Sequence, residues 1–147
     1  MRARRLGELL DFVAVMRCFV LMPLLVLPMQ DPVKASFEEL AGFEYAPGKP
    51  LPASVQAFDG RNVAISGFMQ REVPGSGPVS EFLLVNSACG CNGTPKLNEI
   101  VFCTLPDGVT MDVLPGFVHV TGTMYVGEQK EDGEVVALYV MDADEVK

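Results

Sequence analysis

Cys89 and Cys91 stand on either side of Gly90, and Cys103 follows in the stretch 86–103, NSACGCNGTPKLNEIVFC. Three chemistries fit these residue types at this spacing. The first is a soft metal site. Thiolates at Cys89 and Cys91, with Cys103 and His119 or Glu99, would make a sulfur-rich ligand set for Zn²⁺ or Cu(I). A Cys-x-Cys pair can turn both sulfurs toward one ion if the backbone bends, and Gly90 permits the bend. The second is a disulfide between Cys103 and one loop cysteine, or a strained, exchangeable Cys89–Cys91 pair that would work as a thiol-disulfide redox centre. Redox work needs a depressed thiol pKa, and Lys96 is the cation the loop offers nearby. The third is no special chemistry. Cys103 alternates with Val101 and Leu105, which suits a buried core thiol. His119, between Val118 and Val120, is a ligand only if a loop cysteine lies across the sheet, and otherwise an ordinary surface residue.

Other chemistries find little support. Glu128, Glu131, Asp132 and Glu134 crowd one turn, and Asp142, Asp144 and Glu145 lie near the end of the chain. Both groups read as solvated, because no Asp-x-Asp-x-Asp-Gly calcium loop is present. There is no Gly-x-Ser-x-Gly elbow for a serine hydrolase. Gly75-Ser76-Gly77-Pro78 lacks the Gly-Lys-Ser/Thr ending of a phosphate loop. The chain has one His and no Trp, with a net charge of −8 over 147 residues. That balance argues against nucleic-acid binding, which needs clustered Lys and Arg.

The elements that must position the cysteines fall into two parts. Residues 1–30 hold four basic and two acidic residues, and the rest hold seven basic and seventeen acidic, a net of −10. Cys18 to Met29 is a run of twelve apolar residues. That length suits a signal-peptide core and falls short of the ~20 residues of a spanning helix. Val33 and Ala35 supply small residues for a cut after Ala35. The sequence therefore predicts a signal peptide over 1–35, with Met16-Arg17 as an alternative true start. An uncleaved membrane anchor over Phe12 to Met29 is the competing reading. Either one makes the protein exported, periplasmic or held to the membrane by this segment.

Residues 36–147 read as one domain. Ser36 and Glu39 form a capping-box pattern at the start of a short helix. From Asn62 onward the period is two. Strand patterns cover Val63–Phe68, Phe82–Val85, Ile100–Leu105, Val118–Thr123 and Val135–Met141, separated by Gly- and Pro-bearing turns. Gly67 and Gly122 late in long strands mark bends or bulges at barrel corners. The expected fold is all-β: a small five-stranded antiparallel barrel with a short N-terminal helix. Its Val-x-Ile-x-Gly and Val-x-Val-x-Gly strands resemble those of oligonucleotide/oligosaccharide-binding (OB) barrels.

Several segments together resemble a family of small exported bacterial proteins of unknown function. They are Ser36-Phe37-Glu38-Glu39-Leu40-Ala41, Gly67-Phe68-Met69, Glu81-Phe82-Leu83-Leu84-Val85, the Cys89 loop with Pro95 and Asn98-Glu99-Ile100-Val101, and Val120-Thr121-Gly122. Some members of that family look like lipoproteins, and some are encoded beside efflux-type ABC transporters. Cys89 matches the family's loop cysteine. Cys91 falls where some members carry His, Asn98 matches an Asn, and Glu99 replaces a Gln. The resemblance implies an envelope protein or ABC transporter component as partner. The function expected from all of this is a non-enzymatic exported binding module. It would take Zn or Cu, or a partner, through the Cys89–Glu99 loop, with Asn98 orienting that loop. The alternatives are a Cys89/Cys91 redox protein and a structural interaction module with a disulfide-held loop.

Overall fold

A computed structural model of the chain describes residues 31–87 and 93–147. Residues 1–30 of the expected 1–35 leader, with Met16 and Cys18, and the loop cysteines Cys89 and Cys91 lie outside the described residues, while residues 31–35 of that leader are described. Among the described residues no helix is long and apolar enough to cross a membrane.

The fold is all-β. The five expected strands are present as β2 (Arg61–Gln70), β3 (Glu81–Val85), β4 (Ile100–Thr104), β5 (Phe117–Glu131) and β6 (Glu134–Val146). A two-residue strand, β1 (Val33–Lys34), is added to them. The sheet order is β1-β2-β3-β4-β6-β5, and β2 also pairs with β5. That last pairing closes the five long strands into a ring with the strand order of an OB barrel. The pairings are antiparallel except for β4–β6 and β1–β2. β3 pairs only with Phe68–Gln70 of β2, which leaves the edge at Val63 and Ala64 to β1. Ala35 N–H continues that pairing to the Ala64 carbonyl at 2.9 Å.

Alternation explains the core. Val63, Ile65 and Met69 of β2 point inward, as do Phe82 and Leu84 of β3 and Val118, Val120 and Met124 of β5. The two glycines stand at inward positions where strands come too close for a side chain. At Gly67 an added Cβ would lie 2.7 Å from the Val85 carbonyl oxygen and 2.8 Å from the Phe37 ring. At Gly122 it would overlap the Asp142 carbonyl oxygen. The β5–β6 register shifts between Thr121 and Gly122, so this glycine does mark a bulge.

One end of the barrel is plugged by α1 (Phe37–Ala41). Its capping box is complete. Ser36 Oγ accepts from Glu39 N–H at 3.2 Å, and Ser36 N–H donates to Glu39 Oε2 at 3.1 Å. Phe37 and Leu40 enter the core. The gap left by the missing Cβ at Gly67 is where the Phe37 ring sits. A second short helix, α2 (Ala53–Gln56), starts directly after Pro52 and buries Val55. The prolines before it interrupt a helix but do not prevent one from starting behind them. The β5–β6 hairpin turns on Asp132 (φ 50°) and Gly133 (φ 86°), the two positive values a two-residue type I′ turn requires.

The acidic turn is not uniformly solvated. Glu128 Oε1 accepts from Gly48 N–H at 2.7 Å and from Tyr45 Oη–H at 2.9 Å, and Oε2 pairs with Lys130 at 3.2 Å. The Gly48 amide, then the Tyr45 hydroxyl and Lys130, hold this carboxyl below the usual glutamate range. A lowered folded-state pKa adds stability above the unfolded value, and that stability is lost as pH falls through the folded value. Urea midpoints followed from neutral pH into the carboxylate range should therefore fall less steeply in Glu128→Gln than in wild type. Identical slopes would show that the Gly48 segment is not held by charge.

Candidate functional site

The cysteine loop springs from the end of β3 and returns through a 3-10 turn, Leu97–Glu99, into β4. The outgoing flank is exposed, whereas the returning flank is built into the body of the protein. On the outgoing side, Asn86 lines a cleft of about 710 Å³ together with Ser66 and residues of α1. On the returning side, Asn98 is 2% exposed. Its Nδ2–H donates to the Phe43 carbonyl at 2.8 Å, tying the loop's return to the segment after α1. Its Oδ1 is buried, with no hydrogen-bond partner among the described residues. A buried amide oxygen left unpaired costs about 1–3 kcal/mol, so this atom is poised for a donor. Glu99 is engaged locally: its Oε2 accepts from Lys96 N–H at 2.8 Å and closes the turn.

Cys103 and His119 occupy opposite environments. Cys103 is 2% exposed inside the barrel, beside Phe82 of β3 and Met141 of β6. It is a free thiol, and burial pushes its pKa far above the ordinary value. A thiol kept protonated is neither nucleophile nor ready ligand, so the geometry gives Cys103 the role of a core side chain. This has a direct test. In a variant carrying Cys18→Ser, Cys89→Ser and Cys91→Ser, a thiol reagent should label almost nothing in the folded state and Cys103 fully in urea. Fast labelling of the folded protein would overturn that role.

His119 is on the outer face of β5, opposite Ser66 of β2. Its Nδ1 lies 2.5 Å from Ser66 Oγ. The next pair along the same face is Phe68 opposite Phe117. These rings meet edge-on at 5.3 Å, and Phe117 meets the His119 ring edge-on at 5.9 Å. His119 is therefore linked through Ser66 to the cleft that Asn86 lines. The sequence alone pointed to His119, Asn98 and Glu99, whereas Ser66 and Phe117 become visible only once the β2–β5 register is known, and Asn86 only from the cleft it lines. Among the described residues no three His, Cys, Asp or Glu side chains group to hold a metal ion.

The fold and this site define a small closed OB-type barrel with a loop anchored at one end beside an open cleft. The chain belongs to the DUF3299 family, described as proteins of unknown function, whose pattern matches residues 33–147. A solved structure of a DUF3299 family protein from Pseudomonas aeruginosa PAO1 is similar to it. The two are 29% identical with a TM-score of 0.56, over 80% of this chain and 96% of that one. A chain from the Stn1-ten1 complex of S. pombe aligns at 12% identity and a TM-score of 0.38, covering 82% of this chain and 79% of that one. No curated protein matches the sequence.

Proposed function

We propose that this protein is an exported, non-enzymatic binding module that works through its 89–99 loop. In this reading Cys89 and Cys91 supply thiolates to a Zn²⁺ or Cu(I) ion, and His119 is the one imidazole the chain offers. Asn98 fixes the loop's return, and the metal-bound loop is presented to an envelope partner such as an ABC transporter component. The observation that carries the reading is the anchoring of the loop. Buried Asn98, whose amide donates to the Phe43 carbonyl, holds the loop's returning end against the barrel. A fixed return lowers the ordering cost of whatever the loop binds. The contact between Ser66 and His119 adds to this, because a ring nitrogen held by a neighbour orients the other for ligation.

Native mass spectrometry of the full chain under reducing conditions tests the reading. The expected result is uptake of one equivalent of Zn²⁺ or Cu(I), lost in Cys89→Ser and in Cys91→Ser and retained in Cys103→Ala. No uptake of either metal would overturn it, as would uptake that survives the loss of both loop cysteines. The redox alternative requires a Cys89–Cys91 disulfide. It would show as a reductant-dependent mass change of about two daltons in metal-free protein, as expected for one thiol pair joined.

A further inference from the structure

The cleft beside α1 differs in character from the cysteine loop. It is open, measures about 710 Å³, and is floored by Ser66 and Phe117 with Glu38 and Asn86 among its walls. Phe117 is 57% exposed, an unusual state for a Phe on a sheet face. Edge-on contacts from Phe68 and His119 fix its ring, so its uncovered surface is held in one orientation. A second concavity of about 340 Å³ adjoins the other member of the aromatic pair, running from Phe68 to Leu114 and Gly116. Phe117 lines one hollow and Phe68 the other, and the two rings meet edge-on.

The chemistry of the walls narrows what could lie there. Among the described residues no Lys or Arg lines either hollow, and Glu38 is the charged residue among their walls. Anionic ligands would meet a carboxylate and no counter-charge on a protein whose net charge is already −8. The polar groups present include both kinds: the Asn86 amide donates and accepts, Ser66 Oγ does both, and Glu38 accepts. A purely cationic ligand brings donors alone and would leave the Asn86 N–H groups unused. A ligand with hydroxyl groups around an apolar ring face satisfies both kinds and covers the Phe117 ring.

We infer that the outer face of β2 and β5 binds a neutral oligosaccharide, stacked on Phe117 and hydrogen-bonded by Asn86, Ser66 and Glu38. Further linked sugar rings would extend from the Phe117 hollow toward the one that Phe68 lines. This site shares Ser66 with the metal reading but needs neither Cys89 nor Cys91.

Titration of the full chain with neutral N-acetylglucosamine and glucose oligomers tests it, read by calorimetry and by chemical shifts of the Phe117 ring. Binding that strengthens from one to several sugar units is expected. Phe117→Ala should weaken it by about tenfold or more, the scale of one lost stacking contact. Asn86→Ala should weaken it several-fold, and Val73→Ala, at an exposed residue outside both hollows, should leave it unchanged. Phe117 is already exposed, so its variant should keep the wild-type melting temperature. Failure of both oligomer series to bind at millimolar concentration would overturn the inference. So would binding indifferent to Phe117→Ala and Asn86→Ala, or binding of spermidine in place of sugars.

Discussion

Gly122→Ala should destabilise the protein by about 3 kcal/mol or more, at the upper end of what overpacking a core position costs. At this site the new methyl has nowhere to go. It would overlap the Asp142 carbonyl oxygen and lie 2.9 Å from the Ala143 Cα, both backbone atoms of the adjoining strand β6. A side chain can rotate away from a clash, but a paired strand cannot move without breaking its ladder. Relief would have to come from the β5–β6 pairing, which is already shifted between Thr121 and Gly122. The measurement is a urea or thermal melt of Gly122→Ala beside Gly67→Ala. Gly67→Ala should cost less, because one of its close neighbours is the Phe37 ring, which can tilt. A Gly122→Ala melt within a few tenths of a kcal/mol of wild type would mean that the bulge is far softer than its geometry implies.

Tyr139→Ala should be comparably severe, at about 3–5 kcal/mol, the usual cost of truncating a buried aromatic ring. Tyr139 is 0% exposed, and its hydroxyl donates to the Leu40 carbonyl at 2.8 Å. It thus fills the barrel and ties β6 to the helix that plugs the end. Burial pushes its phenol well above the ordinary tyrosine value, so it remains a donor at any ordinary pH. Tyr139→Phe separates the two roles. It keeps the ring and removes the donor, and should cost about 1–2 kcal/mol. If Tyr139→Phe costs as much as Tyr139→Ala, the hydrogen bond to α1 rather than the ring dominates. If it costs nothing, α1 is held by Phe37 and Leu40 alone.

The strands were legible because each carries its own signal. Val63, Ile65 and Gly67, or Val118, Val120 and Gly122, alternate over a span a local reading can see. The Asp132-Gly133 turn names its own hairpin. The closure of the barrel was legible only as a class, since β4 and β6 pair in parallel across more than thirty residues and no turn motif announces such a pair. β1 is two residues long, too short for any periodicity. For the site, the sequence singles out residue types but not neighbours. Cys103 shows its alternation with Val101 and Leu105, and the structure puts it in the core. Ser66 has no signal of its own. It matters only because the β2–β5 register sets it opposite His119. Asn98 sits among Pro95, Lys96 and Glu99, where nothing local distinguishes a buried amide from a solvated one. Glu128 was hidden in the same way among the other carboxylates of its turn.

The short strand before the helix bears on the expected cut after Ala35. Val33 and Lys34 are paired with Val63 and Ala64, and Ala35 N–H is bonded to the Ala64 carbonyl. If the chain is cut after Ala35, as the sequence leads one to expect, the cutting enzyme would need this stretch extended and would compete with β2 for the same backbone groups. Removal of the leader and folding of the barrel would then be a race. A chain cut first would fold with the β2 edge bare at Val63 and Ala64, an invitation to strand pairing by another molecule. A chain folded first would shield the bond and keep its leader. The order of the two events, rather than the sequence of the cut site alone, would decide whether the barrel is released or stays tethered.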